Sequence, residues 1–144
     1  MSDLSFKCKI SNKTEFTDLG IEMWLDNTKF YDSKILPGQT PIEYTFPEDE
    51  NDHVLSIILK NKTVKHTTID TDGNIKSDAV LEIQDITLDE IALGQKFYDI
   101  ADYTHDYNGS ENWITEKFYG TLGCNGTVKF TFYTPFYRWL MEHM

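Results

Sequence analysis

The amino-acid sequence predicts one all-β domain over residues 1–144, an antiparallel β-sandwich of the jelly-roll kind with one short C-terminal helix. Three observations predict this fold. At least four segments alternate apolar and polar residues, which is the period of a half-buried strand. Turn residues separate these segments at intervals of roughly 8–12 positions, as in β-sandwiches. The chain has the length of one domain, and no linker rich in glycine, serine or proline divides it.

The first half of the chain contains the clearest strand patterns. Residues 4–10 place Leu, Phe, Cys and Ile on one side of a strand and Ser and Lys on the other. Residues 21–26 repeat this alternation, and 29–31 form a short partner strand. A further strand covers residues 42–46. Residues 53–60 (HVLSIILK) are apolar on both faces, which is typical of a central strand.

The second half predicts shorter strands and the helix. Three apolar runs, at 79–83, 86–88 and 91–93, are predicted as separate strands. The Gly-Cys-Asn-Gly sequence that follows residue 122 predicts a hairpin between residues 118–122 and 127–133.

The tail, residues 134–143, is predicted as a helix, because Pro135 suits a first helical position and Phe136, Trp139 and Leu140 form one apolar stripe. We expect this helix to cover one end of the sandwich, and the alternative is docking into a neighbouring subunit.

Residues 94–117 break the strand pattern and are predicted as one long aromatic-polar loop. Long loops in compact domains are usually functional, and a mixture of rings with hydrogen-bonding groups is typical of recognition surfaces. The alternative is a loop that folds over the sandwich and buries its rings. We predict an aromatic contact surface, with protein contact favoured over glycan contact, formed by Tyr98, Tyr103, His105, Tyr107 and Trp113.

Trp24 is the second candidate for a contact residue. It lies on the predicted outward face of its strand, between Glu22 and Asp26. An exposed indole ring can cover the apolar face of a sugar while carboxylates accept bonds from its hydroxyl groups. The alternative is that a second protein chain covers the ring.

The composition excludes several classes of partner. Lys and Arg number 13 against 24 Asp and Glu, which gives a formal net charge of −11. Such a field repels phosphate backbones and anionic lipids, so we predict no nucleic-acid partner and no membrane partner. The N-terminus has no basic segment followed by an apolar run, and we predict no signal peptide. The widely spaced Cys8 and Cys124 indicate a protein made in a reducing cytosol.

We also predict that the protein is not an enzyme. The sequence has no nucleophile elbow, no phosphate-binding glycine loop and no His-Glu-x-x-His motif. Its four histidines share no metal-ligand spacing. Pairs of carboxylates carry little information, because 24 acidic residues bring some of them together in any fold.

Four oxygen-bearing side chains lie close together in the sequence, at Asp70, Asp72, Asn74 and Asp78. Oxygen ligands suit calcium. A solvated hairpin turn requires the same residue types, and the spacing is not that of an EF-hand loop. We therefore favour a turn without any cofactor over a calcium site.

Residues 53–93 resemble part of a known module. An apolar strand (HVLSIILKNKT) is followed, after a polar crossing, by DAVLEIQDITLDEIAL. This order is similar to that of calcium-dependent carbohydrate-binding modules of the xylan-binding type, and Asn61 and Asp78 match that family's motif. The resemblance adds Asn61 to the candidate calcium ligands. It implies a carbohydrate-binding-module-like sandwich and, as the alternative function, a calcium-dependent carbohydrate-binding protein.

The second half of the chain resembles small proteins encoded by tailed bacteriophages of marine cyanobacteria. The segments that carry this resemblance are ITLDEIALG, YTHDYNG and KFYGTLGCNGTVKFTFYTPFYRWLMEHM. It implies a virion accessory or structural protein, a capsid decoration or a tail component, that is made in the host cytoplasm. Its partners would be other virion proteins or further copies of itself, with glycan adhesion as an additional role.

Overall fold

The chain folds as an antiparallel β-sandwich, which confirms the predicted fold class. A computed structural model describes residues 3–105 and 113–143. Two antiparallel sheets pack face to face and enclose one apolar core. The strands, in chain order, are β1 (Asp3–Asn12), β2 (Gly20–Leu25), β3 (Thr28–Lys34), β4 (Gly38–Pro47), β5 (Asp52–Lys60), β6 (Thr67–Ile69), β7 (Ile75–Asp78), β8 (Leu81–Leu88), β9 (Ile91–Ala92), β10 (Asp102–His105), β11 (Ile114–Lys117), β12 (Thr121–Leu122) and β13 (Gly126–Tyr133).

The two sheets differ in size. The first contains β12, β8, β1 and β4 in that order, with β9 paired to β8. The second contains β11, β10, β13, β5, β2 and β3, and β6 and β7 form a separate ribbon. Side chains alternate across a strand, so the central strand β5 buries every second residue from His53 to Leu59. The residues between them lie half-buried on the outward face of the larger sheet.

Two short helices, α1 (Gln95–Ile100) and α2 (Phe136–Glu142), pack against the core. Both bring an aromatic ring onto Phe130 of β13. Phe97 of α1 stacks on it with ring centroids 4.5 Å apart, and Trp139 of α2 meets it edge-on at 5.4 Å. The predicted C-terminal helix is therefore confirmed, and α1 was not predicted.

The prediction of one long loop over residues 94–117 was wrong within the described part of that range. α1, β10 and β11 occupy most of it. In β10, Tyr103 and His105 point inward while Asp102 and Thr104 are exposed. A four-residue strand is too short for its alternation to stand out in the sequence.

The predicted hairpin between residues 118–122 and 127–133 was also wrong. β12 pairs with β8 in the smaller sheet, whereas β13 pairs with β5 and β10 in the larger one. The side chain of Asn125 bonds to the N–H and the C=O of Lys62, at 2.9 and 2.7 Å. At Gly126 a Cβ would lie 2.3 Å from a carbonyl oxygen of β10, so only glycine fits there. The Asn-Gly pair thus joins strands across the sheet instead of forming a hairpin turn.

The strands predicted separately over residues 79–83 and 86–88 form one strand, β8, which contains a bulge. Asp85 has a positive φ of 53°, and the register of β8 with β1 shifts between Lys7 and Lys9. An extra residue on one strand interrupts the alternation without ending the strand.

The sandwich has two ends, separated by the length of β5, roughly 30 Å at about 3.3 Å per residue. At the first, β5 begins at Asp52, and residues 48–52 cross from β4 in the smaller sheet to β5 in the larger. We call this the His53 end, and residues 48–52 the acidic loop. At the opposite end β5 finishes at Lys60, and we call it the His66 end.

Candidate functional site

Two of the predicted contact residues are core residues. Tyr103 and His105 are buried on the inward face of β10. The Tyr103 hydroxyl donates to the carbonyl of Cys124 and accepts its N–H at 3.0 Å. His105 Nε2 lies 2.9 Å from Glu116 Oε1. Burial therefore removes both rings from the predicted contact surface.

The other residues of the predicted aromatic surface have different positions. Tyr98 is half-buried on α1 against Phe97 and Phe118, and burial, with Asp85 nearby, raises its pKa. Trp113, just before β11, is 56% exposed and stays a candidate contact residue. Tyr107 lies outside the described residues.

Trp24 lies on the outward face of β2, as the alternation predicts. Its Nε1–H donates to Glu22 Oε1 at 3.1 Å, and the Lys29 ammonium is 5.8 Å from the ring centroid. Lys60 bonds to both Glu22 and Asp32, at 3.1 and 2.6 Å. The ring is thus part of an ordered ionic network, and a sugar stacked on the face that Lys29 covers would have to displace that lysine.

Two of the candidate calcium ligands, Asp70 and Asp78, use their carboxylates in contacts within the fold. Asp70 Oδ1 accepts the N–H groups of Asp72 and Asn74, both at 2.9 Å, which is the pattern of an Asx turn. Asp78 Oδ1 lies 2.7 Å from the Lys62 ammonium, and Asn61 is exposed with a positive φ of 72°. Within residues 3–105 and 113–143, no group of three or more His, Cys, Asp or Glu side chains could hold a metal ion.

Lys62 is a buried cation at the His66 end. Its side chain is 5% exposed, and its ammonium donates to the carbonyl of Gly123 as well as pairing with Asp78. Its backbone is bound by Asn125, as described above. One lysine thus joins the segment after β5, the end of β7 and the segment before β13. The sequence offers no local signal for this cluster, because Lys62 is about 60 residues away from Gly123 and Asn125 along the chain.

His66 anchors the same end of the sandwich. It ends a short 3₁₀ turn (Val64–His66), and its Nδ1 accepts the N–H of Thr63 at 2.9 Å. Nε2 must then carry the proton, and it donates to Asp18 Oδ1 at 2.9 Å. Asp18 also pairs with Lys65, and the bonds to Lys65 and His66 hold its carboxyl pKa well below the usual range. Phe16 packs edge-on against the imidazole at 4.6 Å.

His53 lies between two carboxylates at the other end. Its Nδ1 is 2.6 Å from Asp26 Oδ2, and its Nε2 is 2.8 Å from Asp49 Oδ1. Both ring nitrogens can donate only when the imidazole is protonated. Burial lowers the pKa of His53, but the bonds to Asp26 and Asp49 outweigh burial and raise it. The bond to His53 also lowers the pKa of the Asp49 carboxyl.

The acidic loop also holds the beginning of α2. Glu48 Oε1 accepts the N–H of Phe136 at 3.2 Å, which satisfies one of the free donors of the first helical turn. Thr134 donates its hydroxyl to Asp49 Oδ1 at 3.2 Å and its N–H to the carbonyl of Asn51 at 3.0 Å. The run EDEND is therefore an organised connection between the sheets and the helix.

The outer face of α2, defined by Tyr137 and Met141, is open to solvent. These residues are four positions apart and so lie on the same side of the helix. Tyr137 is 67% exposed and Met141 is 71% exposed, whereas Phe136 and Trp139 are buried. The exposed part of α2 thus carries two large apolar side chains beside the charged Arg138 and Glu142.

Each of the four histidines makes a hydrogen bond, since His143 Nδ1 also lies 2.7 Å from the carbonyl of Trp139. Both cysteines are free thiols. Burial raises the pKa of the Cys8 thiol to about 12, which keeps it protonated and unreactive.

No protein-family model matches the chain, and no curated protein or solved structure does either. In the parts of the chain that the structure describes, the helices are too short to span a membrane.

Proposed function

We propose that the protein is a non-catalytic accessory or structural subunit of a phage particle, a capsid decoration or a tail component, that binds another protein of the particle. The observation that carries this proposal is the outer face of α2. Five of the seven residues of α2 are aromatic, leucine or methionine, and such composition is typical of a helix that is covered on all sides. The resemblance to phage proteins supplies the kind of assembly.

The charges next to α2 favour a different protein over a second copy of this chain as the partner. The acidic loop contributes four carboxylates, of Glu48, Asp49, Glu50 and Asp52, beside the beginning of the helix. Two copies of a chain with net charge −11 repel each other at such a surface. The partner that fits has an apolar groove for Tyr137 and Met141 and basic groups at its rim.

The first experiment is mass spectrometry of purified particles of the phage that encodes the chain. We expect this protein at a fixed ratio to the capsid or tail proteins after density-gradient purification. Its absence from particles that contain every other structural protein would contradict the proposal.

The second experiment tests the surface by co-sedimentation of the purified chain with particles that lack it. Met141→Ser and Tyr137→Ser should each weaken binding by about 1–2 kcal/mol, or roughly tenfold, because buried apolar anchors supply much of the energy of an interface. Tyr119→Ser is the matched control, since Tyr119 is 75% exposed and lies outside α2, on the connection between β11 and β12. Equal losses for all three variants would mean that α2 is not the contact.

The second candidate function is calcium-dependent carbohydrate binding. One observation favours it: Trp24 lies on an outward sheet face with the carboxylates of Glu22 and Asp32 close by. Its test is affinity electrophoresis in gels that contain xylan, with and without calcium. Retardation that requires calcium and is lost in Trp24→Ala supports this candidate, and unchanged mobility under all conditions removes it.

A further inference from the structure

Residues from two connections and one strand meet at the His53 ring. Asp26 follows β2, Asp49 belongs to the acidic loop, and His53 is the second residue of β5 with only 6% of its surface exposed. Asp26 is fixed to β5 by two further bonds, because its N–H donates to the carbonyl of Val54 at 2.8 Å and its Oδ1 accepts the N–H of Val54 at 2.9 Å. The Asp26 carboxylate is therefore a rigid partner of the imidazole.

Asp49 lies on the acidic loop and, in contrast to Asp26, is bonded to a strand only through His53 within the described part of the chain. Its carboxylate accepts bonds from the His53 ring and the hydroxyl of Thr134, and it also bonds to Asn51. Thr134 and Phe136 in turn bond to Asn51 and Glu48 of the same loop. The bond between His53 and Asp49 thus ties the acidic loop to β5, and the loop is in turn bonded to the beginning of α2.

We infer that the protonated imidazole of His53 is a pH-sensitive lock that holds the acidic loop and the first turn of α2 against the sandwich. The biological meaning of the lock rests on the proposed function. If the outer face of α2 is the contact surface, the lock controls how firmly the first turn of that helix is held in place.

The chemistry of the lock follows from the number of protons on the ring. A neutral imidazole has one N–H, so one nitrogen would present a lone pair to a carboxylate less than 3 Å away. That hydrogen bond is then lost, and an acceptor faces an acceptor. Because Asp26 is anchored to β5, we expect the proton to stay on the side of Asp26 and the bond to Asp49 to open.

The groups that face the ring come from four elements. The charged ones are the carboxylates of Asp26, after β2, and of Asp49, in the acidic loop. Phe46 of β4 and Phe132 of β13 contact the ring with centroids 5.9 and 5.5 Å away, and neither can titrate. The two carboxylates raise the pKa of His53 against the effect of burial, so the imidazolium persists to a higher pH than in an ordinary histidine, and the lock opens as the pH rises through the raised pKa.

The test measures amide hydrogen exchange of the free chain by NMR from about pH 6 to about pH 10. The protection factors are corrected for the faster intrinsic exchange at high pH. The reporters are the amides of Thr134 and Phe136, which bond to the acidic loop, and the amide of Ile57 in central β5 is the reference. As the His53 ring loses its proton, we expect reporter protection to fall by about tenfold, because the acidic loop then opens without the charged hydrogen bond between His53 and Asp49. Reporter protection that stays constant through the titration of His53 would overturn the inference.

A matched pair of variants separates the lock from the general charge of the loop. Asp49→Asn keeps the shape of the side chain but removes the charge that favours the imidazolium, so the pKa of His53 should fall and the reporters should lose protection at a lower pH than in the unmodified chain. Asp52→Asn removes one exposed charge from the same loop and should change neither. Equal effects of the two variants would overturn the inference. No partner enters these measurements, so the lock and the phage-particle proposal can fail separately.

Discussion

The two ends of the sandwich each bury a histidine against an aspartate, but the histidines differ in their second partner. At the His53 end both ring nitrogens face carboxylates, so both must donate. At the His66 end Nδ1 accepts a backbone N–H and only Nε2 faces a carboxylate, so one ring proton completes the bonds. The second partner of a buried imidazole, more than burial itself, therefore decides whether one or two ring protons complete its hydrogen bonds.

The ends also differ in what they support. The His66 end joins strand connections through Lys62, Asn125 and His66. The His53 end holds a helix whose outer face is open. Changes at the His66 end should therefore alter the free energy of unfolding most, and changes at the His53 end should alter how that free energy depends on pH.

The largest effect is expected for His66→Ala. The variant removes a fully buried ring, leaves the Thr63 N–H and the Asp18 carboxylate without this partner, and opens a cavity beside Phe16. We expect the free energy of unfolding to fall by about 3 kcal/mol in urea denaturation. His143→Ala, at the exposed histidine that follows α2, should cost less than about 1 kcal/mol. Equal losses in the two variants would show that the buried His66 ring contributes no more to stability than the exposed His143.

The next effect concerns the buried cation of the same end. Lys62→Met fills a similar volume but leaves the Gly123 carbonyl and the Asp78 carboxylate without the ammonium. We expect a loss of about 2 kcal/mol by the same measurement, moderated because Asp78 is partly exposed. Lys13→Met, an exposed lysine 3.6 Å from Glu82, should cost less than about 0.5 kcal/mol.

A smaller, pH-dependent effect is expected at the His53 end. Because the pKa of His53 is raised on folding, its contribution to stability is complete below about pH 6.5, the ordinary imidazole pKa, and is lost as the pH rises through the folded-state value. His53→Phe should therefore flatten the alkaline side of the stability profile. The expected difference from the unmodified chain changes by about 1 kcal/mol between pH 6 and pH 10, since both carboxylates are partly exposed. Parallel profiles would contradict it.

Asp49 acts on the acid side of the same profile with the opposite sign. Its pKa is lowered on folding, so its contribution is present above the ordinary carboxyl pKa of about 4 and is lost as the pH falls through the folded-state value. The melting temperature of Asp49→Asn should consequently fall less steeply between pH 5 and pH 2 than that of the unmodified chain. An unchanged acid slope would mean that this carboxylate has the same affinity for protons in both states.

The smallest effect is expected for the outer face of α2. Met141→Ser and Tyr137→Ser should change the free energy of unfolding by no more than about 0.5 kcal/mol, because both side chains are exposed in the free chain. Trp113→Ala should behave likewise. A loss of several kcal/mol in calorimetry would make these side chains part of the fold and not of a contact surface.

Part of the candidate site was readable from the sequence. The apolar stripe that contains Phe136 and Trp139 predicts α2 and its buried face, and the alternation of β2 predicts the outward position of Trp24. The sequence shows Tyr137 and Met141 beside this stripe, but it does not show that their side of the helix is exposed. A histidine at the start of an apolar strand with an acid four residues before it was a signal for the pair of His53 and Asp49, but the same run of acids also fits a solvated loop.

The spacing of apolar residues along the chain predicts the buried faces of the strands, and with them the sandwich and the terminal helix, because burial selects residues with the period of the element. The pairing of the strands and the contacts between polar groups depend instead on the three-dimensional fold. β12 and β13 separate into different sheets because Asn125 and Gly126 satisfy contacts across the larger sheet. His53 meets Asp26 across 27 residues, and His66 meets Asp18 across 48. Such pairs have no local period, since a hydrogen bond depends on the distance between two atoms in space and leaves no pattern along the chain.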